Sequence, residues 1–254
     1  MRRLSRALSI IVTLAALAAT GCSTLEVTEG DSAEVILDKA HRALERRLYS
    51  QAVDNYQRLE SLYPYSRHSL QAQIMTAYTY YLKGDALAAV RAAERFIRLH
   101  PRNPHVDYAR YLKGIAHYAQ IGKADRDPEP ARKAIEALSQ LIRQHPDSVY
   151  ASDARRRIQT ANRTLAQHHL HVARFYWDRG AYVAVVNRCR RILTEHPGTP
   201  ASEPALGLMA RGYARLALPD LAADSLAILA HNYPESPELG RTRDLVGQAA
   251  ASAP

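Results

Sequence analysis

"SLYPYS" at residues 61–66 returns in altered form as "RLHPRN" (98–103), "RQHPDS" (143–148), "TEHPGT" (194–199) and "HNYPES" (231–236). Each copy has Tyr or His, then Pro, one variable residue, and Ser, Asn or Thr. The prolines Pro64, Pro101, Pro146, Pro197 and Pro234 are separated by 37, 45, 51 and 37 residues. One unit of 37 residues, with insertions of 8 and 14, accounts for all four intervals. A fixed period of this size is the signature of stacked supersecondary units.

Outward from the prolines the pattern is helical. Twelve residues before each stands a small residue: Ala52, Ala89, Ala134, Val185 and Ala222. Apolar residues then follow at helical spacing, as Val53, Tyr56, Leu59 and Leu62 do in the first copy. Earlier in each unit, Ala40, Ala77, Ala173 and Ala210 mark a second small site. Tyr80, Tyr176 and Tyr213 follow three of these at one turn. Two helices crossing at small residues, with a terminal proline, resemble the tetratricopeptide repeat. The chain is therefore expected to be all-α, a tetratricopeptide-repeat superhelix of about five helix pairs.

Boundary signals agree. Asn103-Pro104, Asp127-Pro128, Thr199-Pro200 and Ser236-Pro237 each offer a capping side chain before proline. Gly84 and Gly180 stand where helices should end in a left-handed residue. The third unit's insertion, "QIGKADRDPEP", reads as a loop between its helices. The fourth unit's insertion lengthens its first helix to about Val149–Arg179, a span of roughly 45 Å at 1.5 Å per residue.

The N-terminus carries a different signal. Arg2, Arg3 and Arg6 precede an apolar run from Ala7 to Ala19, too short for a comfortable membrane span, and "LAATGCST" (17–24) follows. Small residues directly before Cys22 resemble a bacterial lipobox, which would make residues 1–21 a lipoprotein signal peptide and Cys22 the acylated first residue. An ordinary secretory signal with an incidental cysteine is the alternative. Removing this segment lowers the formal charge from +9 to +6. Residues 22–32, polar and without periodicity beyond the cysteine, read as an acylated tether. Residues 33–237 then hold five repeats, and 238–254 a terminal helix and flexible tail. Cys189, in mid-helix on an apolar face, reads as a buried small hydrophobe rather than a disulfide partner.

Chemistry-bearing motifs are absent: there is no GxSxG, GxGxxG, HExxH or paired CxxC, so neither catalysis, a cofactor nor a metal is expected. "HHLH" (168–171) puts His168 and His171 one turn apart but offers no third ligand on that face. The basic runs at 155–157 and 188–191 lack interleaved aromatics, which disfavours nucleic acid. They suit a solvated or partner-facing surface. Tyrosine is more informative: 15 Tyr stand against 2 Phe, and a phenol joins apolar area to a polar tip, as interfaces require. About half of the tyrosines between residues 49 and 81 are expected in the repeat core; Tyr63, Tyr65, Tyr78 and Tyr81 mark the N-terminal half as a candidate peptide groove.

"YPYS" (63–66), "AERFIRLHPRNPHVDYARYLKGIA" (93–116), "DRDP" (125–128) and "RGAYVAVVNR" (179–188) resemble the BamD family. These are the tetratricopeptide lipoproteins of the outer-membrane β-barrel assembly machinery, and the likeness runs through nearly the whole chain after Cys22. It implies a lipid-anchored scaffold at the periplasmic face of the outer membrane. Its C-terminal half would bind the periplasmic domains of the central barrel subunit. Its N-terminal half would receive unfolded outer-membrane proteins, with accessory assembly lipoproteins as further partners. Matched by motif, Tyr63 falls in the receiving half; Arg188 and Asn187, with Asp125, Arg126 and Asp127, fall at partner contacts. Ser23 is compatible with outer-membrane sorting. Only "AQIGKA" precedes "DRDP" here, where the family often has a longer loop. A lipoprotein serving cell-wall maintenance or competence for DNA uptake is the competing reading.

Overall fold

The computed structural model describes residues 25–251. The lipobox with Cys22, and the last three residues of the tail, lie outside the described residues. Eleven helices and no strand occur among the described residues. They are α1 (Ala33–Glu45), α2 (Tyr49–Leu62), α3 (Arg67–Lys83), α4 (Ala86–Leu99), α5 (Val106–Tyr118) and α6 (Glu129–Gln144). There follow α7 (Ala151–Trp177), α8 (Tyr182–Glu195), α9 (Ser202–Arg215), α10 (Pro219–Asn232) and α11 (Glu238–Ala251). None of the described helices is long and apolar enough to cross a membrane.

The recurring Tyr/His-Pro motif is a helix stop. Tyr63, His100, His145, His196 and Tyr233 are the C-caps of α2, α4, α6, α8 and α10. All five adopt φ between −131° and −137° and ψ between 50° and 68°. Proline's ring disfavours a helical conformation in the residue before it, which ends the helix there. Each cap N–H still donates to the carbonyl four residues back. The motif's last residue then starts the next element: Ser66, Asn103, Ser148 and Ser236 each accept a backbone N–H two residues on.

Three of the four expected Xaa-Pro caps accept such a bond, namely Asn103, Asp127 and Ser236. Thr199 departs: its hydroxyl donates back to the His196 carbonyl at 3.0 Å. Turns within helix pairs are made differently. Arg47, Gly84 and Ala217 have φ of 59°, 84° and 56°, and a backbone bond of 2.9–3.0 Å closes each turn from the next residue. Gly180, at φ 71°, serves the same purpose after α7. The long α7 covers 27 residues, about 40 Å.

The helices form two compact units. In the first, residues 25–116, the core joins Ile36, Ala40 and Ala43 of α1 to Ala52, Tyr56 and Leu59 of α2, then Ile74, Ala77, Ala93, Phe96 and Leu112. In the second, residues 117–251, Leu170 and Ala173 of α7 pack with Val185, Cys189 and Ile192 of α8 and with α9 to α11. The five small residues twelve before each proline are fully buried, so the helices of each pair can approach closely.

The segment expected to be a tether is held from Leu25 onward. Leu25 and Val27 are only 3% and 8% exposed and join the α1–α2 core. Asn55 donates to the Leu25 carbonyl at 2.8 Å, Arg58 to that of Val27 at 3.1 Å, and Lys39 to that of Glu26 at 2.8 Å. Lys39 also pairs with Asp31 at 2.7 Å; that bond and the Thr28 N–H hold the Asp31 carboxyl below its ordinary pKa. Two alternating apolar residues in a polar stretch are too weak a pattern to show as periodicity, yet they suffice to dock a short strap.

Candidate protein-binding sites

In the first unit a groove of about 690 Å³ runs between α3 and α5. Ile74, Met75, Phe96 and Tyr108 supply apolar walls, and Arg67 and His68 add basic groups. Such a lining suits an extended chain with apolar side chains and some negative charge. The expected groove tyrosines do not line it. Tyr63 is half-buried, its hydroxyl donating to the Asp31 carbonyl at 2.7 Å, so it clamps the N-terminal strap. Tyr81 packs beside Val90 and Ala116. Tyr65 is wholly exposed on the α2–α3 turn. Tyr78 comes nearest, with its ring 6.5 Å from that of Tyr108. Sequence counting favoured phenols, whereas the groove is built largely from residues at the start of α3 and α5, where the Pro-x-Ser/Asn turn leaves side chains uncovered.

In the second unit the sequence's "HHLH" is not a His168–His171 pair. His171 is exposed, while His168 uses Nδ1 to bond the Ala124 carbonyl at 2.8 Å. This pins the loop that carries Asp125, Arg126 and Asp127 to α7. Its neighbour His169 is 1% exposed, and its Nδ1 meets the Arg188 guanidinium at 3.3 Å. Consecutive residues of α7 therefore hold the "DRDP" loop and the "NR" segment, which are some sixty residues apart in sequence. Asn187 and the three loop residues are exposed, and Arg188 is half-buried.

His169 also stacks on His196 at 5.7 Å, with Asn162 at 3.2 Å from His196 Nδ1. Burial chiefly, with the neighbouring Arg188 and Arg191 charges, pushes the His169 pKa down to about 4. Desolvation lowers that of His196 too. Glu195 is held below its ordinary value by a 2.7 Å bond from Arg191. Ligand atoms of His169, Glu195 and His196 lie within 4.8 Å of one another. Two guanidiniums engage this set, Arg188 on the His169 lone pair and Arg191 on the carboxylate, so the ligand atoms of His169 and Glu195 already have arginine partners. Cys189 beneath is fully buried, with its thiol pushed up to about 12 by desolvation.

Helix pairs closed by a repeated proline stop, with an apolar groove in one unit and exposed polar segments in the other, define a tetratricopeptide-type scaffold. The chain belongs to the family described as YfiO, outer membrane lipoprotein, which matches residues 29–237. It is similar to outer membrane protein assembly factor BamD of Neisseria gonorrhoeae, with 36% identity over 251 residues and 94% of each chain covered. The BamD of Vibrio cholerae is 32% identical over 211 residues, covering 79% of this chain and 88% of that one. That of Caulobacter vibrioides is 31% identical over 234 residues, covering 90% and 76%. The family resemblance read from the sequence is thus a true family relationship.

Proposed function

We propose that this protein is a non-catalytic scaffold of outer-membrane β-barrel assembly, anchored to the membrane by acylated Cys22. End-to-end similarity to outer membrane protein assembly factors carries this reading. On it, the second unit docks the periplasmic domains of a central barrel subunit through Arg188, Asn187 and the loop Asp125–Asp127. The first unit receives unfolded barrel segments in the groove between α3 and α5, and accessory lipoproteins complete the assembly. Arg188 suits its part chemically: a guanidinium steadied on a neutral imidazole keeps donors for a partner carboxylate, in a fork that lysine cannot reproduce.

The test is co-purification from detergent-solubilised membranes. Arg188→Glu should reduce recovery of the central subunit at least tenfold while leaving helical circular dichroism unchanged. Recovery equal to that of the unaltered protein would remove Arg188 from the interface.

A further inference from the structure

The N-terminal strap constrains how the first unit meets the membrane. Leu25 is buried among α1 and α2 residues, and its carbonyl is bonded by the buried Asn55. Three residues of chain, from Cys22 to Leu25, reach at most about 11 Å even when fully extended. Acyl chains on Cys22 would therefore enter the bilayer within that distance of Leu25. A long tether would let the first unit stand off from the membrane; a reach this short keeps Leu25 close to it.

The surface beside Leu25 has the composition of a membrane contact. Leu25 and Val27 share a hollow of about 580 Å³ with Arg46 and Leu48, from the turn between α1 and α2. Arg46, Arg47 and Leu48 are all exposed, Leu48 at 45%. Arg47 holds the left-handed conformation of the turn, at φ 59°. Glu26 and Asp54 line the hollow itself, so any attraction to anions comes from the tip of the turn rather than its floor. Two adjacent guanidiniums beside one exposed leucine match a headgroup layer, where phosphates meet the first methylenes.

We propose that the Arg46–Leu48 turn rests on the phospholipid headgroups, with the strap fixing this edge of the first helix pair to the bilayer. The inference rests on acylation at Cys22. Leu48 dips among the headgroups, and Arg46 and Arg47 pair with lipid phosphates. The opposite end of α2, marked by Tyr65, lies about 20 Å away along the helix and stays clear of the lipid.

The full acylated chain, reconstituted in phosphatidylcholine vesicles with a minority of phosphatidylglycerol, tests this directly. A bimane fluorophore is placed on Leu48→Cys or, separately, on Tyr65→Cys; Cys189 is buried and does not compete. Nitroxide lipids labelled near the headgroup should quench the probe at position 48 several-fold more than at position 65. Adding Arg46→Glu and Arg47→Glu together should lower quenching at 48 toward the level seen at 65. Equal quenching at both positions, in protein that still floats with the vesicles, overturns the membrane contact and leaves the anchor intact. Failure of the full chain to float overturns the anchor reading, and this inference with it.

Discussion

Two residues show how local chemistry is overruled by the fold. Ala217 occupies the left-handed turn position that Gly84 fills without penalty, although its Cβ crowds the backbone there. Ala217→Gly should therefore raise stability by about 1 kcal/mol, seen as a higher urea midpoint with an unchanged slope. His169 is the second case. Its pKa falls from 6.5 unfolded to about 4 folded, so between those values the unfolded chain binds the extra proton. Its contribution is complete above about pH 6.5 and is lost as pH falls toward about 4, by roughly 3 kcal/mol in all. His196 acts in the same direction. His169→Gln should flatten this acid-side slope in urea unfolding measured at several pH values; an unaltered slope would show that other groups control it.

Elements are fixed by close approach. A Cβ on Gly207 of α9 would lie 2.9 Å from the Glu238 Cβ of α11, nearer than packed atoms come. Glu238 is held in turn by Arg211 at 2.8 Å, one turn along α9. Gly207→Ala should push α11 away and cost about 1–3 kcal/mol, with a lower melting temperature and faster amide exchange in residues 238–251. The strap is also an element in this sense. Asn55→Ala leaves the buried Leu25 carbonyl unpaired, at a cost of about 1–3 kcal/mol. Its signature is loss of exchange protection confined to residues 26–31 and the adjoining start of α1.

For the molecule as a whole, α7 acts as the frame of the second unit. His168 holds the Ala124 carbonyl and His169 holds Arg188, so this one helix orders both the Asp125–Asp127 loop and the Asn187–Arg188 segment. Replacing His168 with Ala should free the Asp125–Asp127 loop without unfolding the core. Binding of the central subunit would then weaken, on the proposed reading, by less than Arg188→Glu causes. A binding constant measured with the purified periplasmic domains checks the order of the two effects.

All-α architecture, the five helix stops and the small crossing residues were legible in the sequence, because each follows from local rules. Proline bars a helical residue before it, and apolar spacing declares a buried face. The family was legible as well, since contiguous strings such as "DRDP" and "VAVVNR" carried the resemblance. Which tyrosines would pack, as Tyr63 does on the strap and Tyr81 beside Val90 and Ala116, was not legible, for a phenol's environment depends on neighbours distant in sequence. Nor was the docking of Leu25 and Val27, which Asn55 and Arg58 secure from some thirty residues away. The sequence by itself determined what each helix is and where it ends. Only the tertiary structure decided which side chains stay uncovered, because exposure is what remains after every helix has chosen its neighbours.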